Sequence, residues 1–314
     1  MFALLAALVA CVTLGACSFG TSPVAIRDSL DDYSWEELSA LSAEIAQADD
    51  ENAALAIAER YHLAGADGVL DGTQAKAVEL SDGTRTAAVI AGFNHDWQGD
   101  GSRAGITFML ADAVALRPMN NAAHTDSELA DADAIGGWAA SEMRRWLNGE
   151  FIDTLPADLR EHLACVQTAA GGVPEFEVGG VDDQGTVDYA AGHLTEHGTD
   201  ALWLPAVVEL SGVSTQSKAA IERPGWTALL QAEGSQYSLL ANANVQEEEA
   251  NDLLVRHLAG SGDSCCWWLR SVEDGSFAYV DERGSVNRED SEDAEYPSGG
   301  ESLGVVPCFA LAGR

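Results

Sequence analysis

Cys265-Cys266-Trp267-Trp268-Leu269-Arg270-Ser271 and Gly304-Val305-Val306-Pro307-Cys308-Phe309 are the stretches on which the fold turns. Both are short and rich in the aromatic, β-branched and apolar residues that suit buried strands. Between them, residues 277–281 and 285–287 read as strands joined by Asp281-Glu282-Arg283-Gly284, a turn composition. A β-rich C-terminal third is expected, with Cys265, Cys266 and Cys308 drawn close together. Successive strand residues point to opposite faces, so Trp267 and Trp268 divide between two sides and only one needs burial.

Upstream, helical and strand patterns interleave. Ser34-Trp35-Glu36-Glu37 reads as a capping box, and Trp35, Leu38, Leu41 and Ile45 recur at helical spacing. Asp49-Asp50-Glu51-Asn52 ends that helix and starts a second with Leu55, Ile57, Ala58 and Tyr61. The tether and helical hairpin, residues 18–73, are too small to be stable alone and should pack on the main domain. Residues 75–80 and 86–93 read as a hairpin about Ser81-Asp82-Gly83, and 105–110 as another strand. Residues 141–148 and 155–163 read as helices, the second opened by Pro156. A long Gly- and Asp-rich loop, 171–198, precedes a strand at Leu202-Trp203-Leu204, and 304–311 reads as the last strand. This succession predicts an α+β domain over residues 74–314.

Residues 1–14 are an almost uninterrupted apolar run followed by Gly15-Ala16-Cys17. The run falls short of the roughly 20 residues that span a bilayer and reads as a secretory signal. Leu14-Gly15-Ala16-Cys17 resembles the bacterial lipobox. Residues 1–17 are therefore expected to be a lipoprotein signal peptide, with Cys17 lipidated and the protein held at the extracellular face of a bacterial cell membrane. Cys11 is a second candidate, and no Lys or Arg precedes Arg27, so the usual basic flank is missing. Export would leave Cys165, Cys265, Cys266 and Cys308 in an oxidising compartment, as disulfide candidates with three possible connectivities.

A net charge of -35 excludes the basic stripe that binds phosphates, so nucleic acid is not an expected partner. Anionic lipid headgroups are repelled as well, which leaves membrane attachment to the anchor.

Gly92-Phe93-Asn94-His95-Asp96, Asp100-Gly101-Ser102 and Ala104-Gly105-Ile106-Thr107-Phe108-Met109 open an ordered series. Gly136-Gly137-Trp138, Ser141-Glu142-Met143-Arg144, Trp146-Leu147-Asn148 and Leu202-Trp203-Leu204 continue it. Trp267-Trp268-Leu269-Arg270-Ser271 and Gly304-Val305-Val306-Pro307 close it. Over residues 75–314 this series resembles an uncharacterised bacterial domain family of unknown function in Gram-positive surface lipoproteins. The helical segment ahead of it resembles the leader of related lipoproteins. The order of elements is similar to the C-type-lectin-like fold, which formylglycine-generating enzymes also use. The resemblance implies a mixed sheet with flanking helices and long loops. Val306 stands where that family usually has arginine, Cys308 where it has alanine, and Val272 where proline follows Leu-Arg-Ser. Arg270 is therefore expected to lack part of a shared charge network, with Cys308 as a substitute brace.

Exposed tryptophans stack on sugar rings, so the candidate ligand-binding residues are Trp203, Trp267, Trp268, Arg270 and Tyr237. Core packing is the commoner role for each of the tryptophans, Trp138 and Trp146 included. Asn94, Asp96 and Asp100 form an oxygen-rich, Gly-containing loop and are candidate calcium ligands, although not at EF-hand spacing. No other cofactor is implied. The chain points away from an enzyme, because no Gly-x-Ser-x-Gly lies on a strand-to-helix turn; His95, His193 and His197 could act as bases, but His193 and His197 sit in a loop without a partnered Cys or Ser. A formylglycine-generating oxidase would need two copper-binding thiolates, and Cys265, Cys266 and Cys308 lack that family's arginine-rich surroundings. The expected function is recognition of a cell-surface glycan or protein through residues 171–200 and 212–262, since binding residues concentrate on loops over rigid scaffolds. A structural envelope protein without a small ligand is the competing expectation.

Overall fold

A computed structural model of the chain describes residues 24–65, 68–120, 137–168, 198–212, 233–246, 249–273, 276–287 and 300–313. The apolar run with Cys17, most of the 171–198 stretch and much of 212–262 lie outside the described residues. Ser34 starts α1 (Trp35–Ala46): its hydroxyl accepts the Glu37 N–H at 3.1 Å, and the Glu37 carboxylate accepts the Ser34 N–H at 2.9 Å. Asp50 caps α2 (Glu51–Arg60) through the Ala53 N–H. β1 (Ala75–Glu79), β2 (Arg85–Phe93), β3 (Ile106–Leu110) and β4 (Leu116–Arg117) follow. Then come α3 (Gly137–Ala140), α4 (Glu142–Gly149), α5 (Ala157–Arg160), β5 (Val166–Thr168) and β6 (Gly198–Asp200). After α6 (Val207–Ser211) and α7 (Ser238–Asn242) the chain is strand-rich. It forms β7 (Trp267–Glu273), β8 (Ser276–Val280), β9 (Val286–Asn287), β10 (Leu303–Gly304) and β11 (Cys308–Ala310).

The architecture is mixed α+β. One sheet has the order β1-β2-β3-β11, a second β4-β10-β7-β8-β9, and β5 with β6 forms a small third. The expected single strand over 304–311 is instead two: β10 belongs to the second sheet and β11 to the first. Val305 and Val306, both fully buried, carry the chain between them. Pro307 has no N–H to give a ladder but its carbonyl accepts from Leu110, at the point where the chain joins the first sheet. Leu202-Trp203-Leu204 forms only a bridge from Trp203 to Cys308, and the helix expected over 155–163 shortens to α5.

The helical hairpin closes one face of the first sheet. Trp35 packs edge-on against Phe108 and Phe309, which stack on each other across β3 and β11. Close approach of α1 depends on small residues. The Ser42 hydroxyl accepts the Gly105 and Ile106 N–H groups and donates to the Leu311 carbonyl. A Cβ on Gly105 would lie 1.9 Å from the Ser42 carbonyl oxygen, so no side chain fits there.

Trp267 and Trp268 do point to opposite faces, yet both are fully buried. β7 is the central strand of its sheet, and the burial of both indoles shows that each of its faces is covered. The Trp267 indole N–H donates to the Leu254 carbonyl and that of Trp268 to the Arg117 carbonyl, each at 2.9 Å. The four described cysteines are free thiols, which corrects the disulfide expectation. Cys308 is buried, Cys165 is exposed, and Cys265 and Cys266 are half-buried.

Gly105→Ala should lower stability by about 3 kcal/mol or more, because the carbonyl it meets is backbone and cannot swing away. Gly149→Ala, where a Cβ meets nothing within 4 Å, should stay within about 1 kcal/mol of the parent. Urea unfolding measures both, and a Gly105→Ala protein as stable as the parent would refute the close contact.

Candidate functional site

Between the pairs Trp268↔Tyr279 and Val272↔Phe277, three residues of β7 face one of β8. Leu269, Arg270 and Ser271 therefore bulge off the ladder, and the Arg270 N–H turns to the Pro205 carbonyl at 3.0 Å. This aims the guanidinium at Glu209 on α6. Two charge-assisted hydrogen bonds result, from Nη1 to Oε2 at 2.5 Å and from Nη2 to Oε1 at 2.7 Å. Nη1 also donates to the Leu204 carbonyl at 2.9 Å and Nη2 to the Glu233 carbonyl at 2.8 Å. Glu209 accepts the Ala206 N–H at 2.8 Å, which starts α6, and the Tyr237 hydroxyl at 3.1 Å. The Ser271 hydroxyl accepts the Val207 N–H at 2.9 Å and donates to the Glu233 carboxylate. The chain crosses this pair at Gly234 (φ 139°), where a Cβ would lie 3.3 Å from Glu209 Oε1. Trp203 completes the network by donating to the Tyr237 oxygen at 3.3 Å.

From the first sheet, Asp96 and His95 face the same network. Asp96 is buried and accepts the Thr107 hydroxyl. His95 places Nδ1 3.2 Å from Asp96 Oδ1 and Nε2 2.7 Å from the Ser235 carbonyl oxygen. Both partners only accept, so both ring nitrogens carry hydrogen and His95 is an imidazolium. Burial alone would lower its pKa, but the Asp96 carboxylate outweighs burial and raises it to about 9. Asp96 is likewise held below the usual carboxylate range, burial being outweighed by His95 and Thr107.

The Ser235 hydroxyl lies 3.3 Å from His95 Nε2, so a serine, a histidine and an aspartate do meet. The Nε2 hydrogen points at the Ser235 carbonyl, however, which leaves no lone pair to take the hydroxyl proton. His95, Asp96 and Glu209 also offer ligand atoms within 4.8 Å of one another. Asp96 is already neutralised by His95 and Glu209 by Arg270, so a divalent cation would have to displace both. These residues fit an ion-pair network rather than a metal centre.

A second clamp centres on Asp200, also buried. Its carboxylate accepts the Trp138 indole N–H at 2.9 Å, Arg144 Nε at 2.7 Å and the Thr168 hydroxyl. Asn148 accepts the Ala201 and Leu202 N–H groups and donates to the Leu202 carbonyl. α3 and α4 thereby hold the end of β6 and the two residues after it, and Thr168 ties β5 to the same carboxylate.

All five candidate ligand-binding residues, Trp203, Trp267, Trp268, Arg270 and Tyr237, lie in the interior and spend their polar atoms on these bonds. Arg270, expected to lack part of a shared charge network, has a carboxylate and two carbonyls. Cys308 braces nothing covalently; burial raises its thiol pKa well above the ordinary value. The calcium candidates are committed separately. Asn94 donates to the Ile45 carbonyl at 2.9 Å, Asp100 accepts both the Ser102 N–H and its hydroxyl, and Asp96 turns to His95 and Thr107. Glu209, Glu233 and Asp200 were missed by sequence reasoning. Glu209 carried a signal: a single carboxylate within the apolar run from Leu202 to Leu210 must be buried and paired.

The fold and its clamps define an α+β domain whose ordered signature residues are mostly interior. The chain belongs to the family described as a domain of unknown function, DUF6273, whose model matches residues 105–313. β1 and β2 lie ahead of the matched residues yet complete the same sheet. No curated protein and no solved structure matches the chain.

Two outcomes test the network. Arg270→Met should cost about 3–5 kcal/mol by stranding a buried carboxylate, and Arg270→Lys should recover little, because an ammonium lacks the fork that meets both oxygens; urea unfolding of the two variants checks this. His95 has a folded pKa above its ordinary 6.5, so its contribution is complete below pH 6.5 and lost as pH rises through about 9. Asp96 acts in the opposite sense, its contribution fading only at acid pH. Stability of the parent should fall between pH 6.5 and 9, by at most about 1.4 kcal/mol per pH unit from this one proton, and His95→Gln should flatten the fall. Parallel pH profiles for the two proteins would remove the imidazolium from the account.

Proposed function

We propose that this chain is a binding module, held on the extracellular face of a bacterial cell membrane by a lipid on Cys17, that recognises a cell-surface glycan or protein. The observation that carries the reading is where the two clamps sit. Residues 169–197 depart after Thr168 and return two residues before Asp200, both held in the Asp200 clamp. Residues 213–232 end at Glu233, whose carbonyl and carboxylate are held by Arg270 and Ser271. Long insertions between such rooted points are how a rigid scaffold presents recognition segments.

The anchor is supported by the apolar run ending in Leu14-Gly15-Ala16-Cys17. Among the described residues, no helix is long and apolar enough to cross a membrane. The order of elements supports a C-type-lectin-like scaffold, and the surface-lipoprotein setting of the resembling family agrees with the anchor. Against catalysis stands His95, whose ring hydrogens are both engaged.

The test is binding of residues 18–314 to an array of glycans and cell-wall fragments, with and without calcium. Beside it runs a variant in which a short Gly-Ser linker replaces 169–197. The variant should melt within a few degrees of the parent and lose the parent's hits. Unchanged hits would overturn the role of that segment, and a parent that binds nothing but self-associates would point to a structural envelope role.

A further inference from the structure

Trp97, to which no site was assigned, is the only aromatic among the large exposed apolar side chains of the described residues, at 48 % exposure. Backbone pairing fixes its place. Trp97 bridges Arg103 across a tight turn, and on its other side the Trp97 carbonyl accepts the Gln167 N–H at 2.7 Å, next to the Gln98–Val166 bridge. Gln167 in turn pairs with Thr199 in the β5–β6 register. Arg103, Trp97, Gln167 and Thr199 therefore stand in one row across four neighbouring strand segments. Directly opposed residues share a face. Val166, Thr168 and Asp200, on the alternate face, are buried, while Gln167 and Thr199 are exposed. At about 4.8 Å between strands, the row extends on the order of 15 Å. The Arg103 guanidinium lies 3.6 Å from the Trp97 ring centroid and is tied to the His95 carbonyl, which holds the indole in place.

We infer that this row is a platform for a neutral carbohydrate unit. The indole offers a flat apolar surface to the C–H face of a sugar ring, and Gln167 and Thr199 bring an amide and a hydroxyl to its hydroxyl groups. Charge selects among ligands. A net charge of -35 opposes phosphate- or carboxylate-bearing chains. Arg103 already takes up the attraction of the ring for a cation, so a partner's Lys or Arg would meet a like charge beside it. A neutral ring meets neither penalty. The platform rests on the binding-module reading and gives that reading a ligand class and a place, beside the point where residues 169–197 leave β5 and rejoin β6.

The experiment compares the parent with Trp97→Ala, Trp97→Phe and Thr199→Ala on an array of neutral glycans. Acidic glycans and oligolysine are printed beside them, and a melting curve confirms that each variant folds. The expected result is a set of neutral-glycan hits weakened about tenfold by Trp97→Ala, less by Trp97→Phe, and measurably by Thr199→Ala. Indole N–H resonances supply a second readout: the signal missing from Trp97→Ala should shift saturably on titration with a neutral hit. Neutral-glycan hits retained by Trp97→Ala would overturn the platform while leaving the binding-module reading intact. Hits confined to acidic glycans or oligolysine would overturn the carbohydrate assignment in favour of a charged partner. A blank array overturns the platform, and the binding-module reading falls with it only if no protein partner is captured from surface extracts.

Discussion

The pair formed by Glu209 and Arg270 is the constraint on which the interior depends. It lies between the two main sheets, with both side chains almost fully buried. Removing two ions from water costs several kcal/mol for each, and mutual attraction offsets this only when the remaining donors and acceptors are also met. Here they are met by backbone. The guanidinium takes the Leu204 and Glu233 carbonyls, and the carboxylate takes the Ala206 N–H. An apolar pair of similar volume would hold the sheets together equally well. It would not set where α6 begins, where the chain re-enters at Glu233, or which residues of β7 leave the ladder.

The same logic governs the other buried charges. The chain has 51 acidic residues against 16 Lys and Arg, so cations are scarce. Several are nonetheless spent in the interior: Arg270 on Glu209, Arg144 on Asp200, and the His95 imidazolium on Asp96. Arg256 is buried with no carboxylate at bonding distance among the described residues and donates to the Leu253 and Val255 carbonyls; burial lowers its pKa to about 10. Groups committed in this way hold the scaffold.

What could be read from the sequence was local. The α1 capping box, the Asp82-Gly83 hairpin and the strand composition of β3 and β8 depend on a few neighbouring residues, and all appear where expected. Long-range relations were not legible. Burial of both Trp267 and Trp268 depends on distant segments, among them those that bring the Leu254 and Arg117 carbonyls to the two indoles, which no window around Cys265 to Ser271 contains. The division of 304–311 between two sheets depends on strands at 106–110 and 267–273. The partner of Arg270 lies 61 residues away, and departures from a family pattern at Val272 and Val306 gave no guide to it.

The tryptophans make the same point in physical terms. An indole N–H enters the interior only with an acceptor, and those of Trp138, Trp203, Trp267 and Trp268 find Asp200, Tyr237 and the Leu254 and Arg117 carbonyls. Three of the four sit beside apolar neighbours in the sequence. Trp97 stands apart, in Asn94-His95-Asp96-Trp97-Gln98-Gly99-Asp100, a polar run with too little apolar surface to bury. Such neighbours keep the large ring at the surface, and an arginine braces it there. The polarity of the flanking residues, rather than the number of tryptophans in a motif, separates the ring left at the surface from those that build the core.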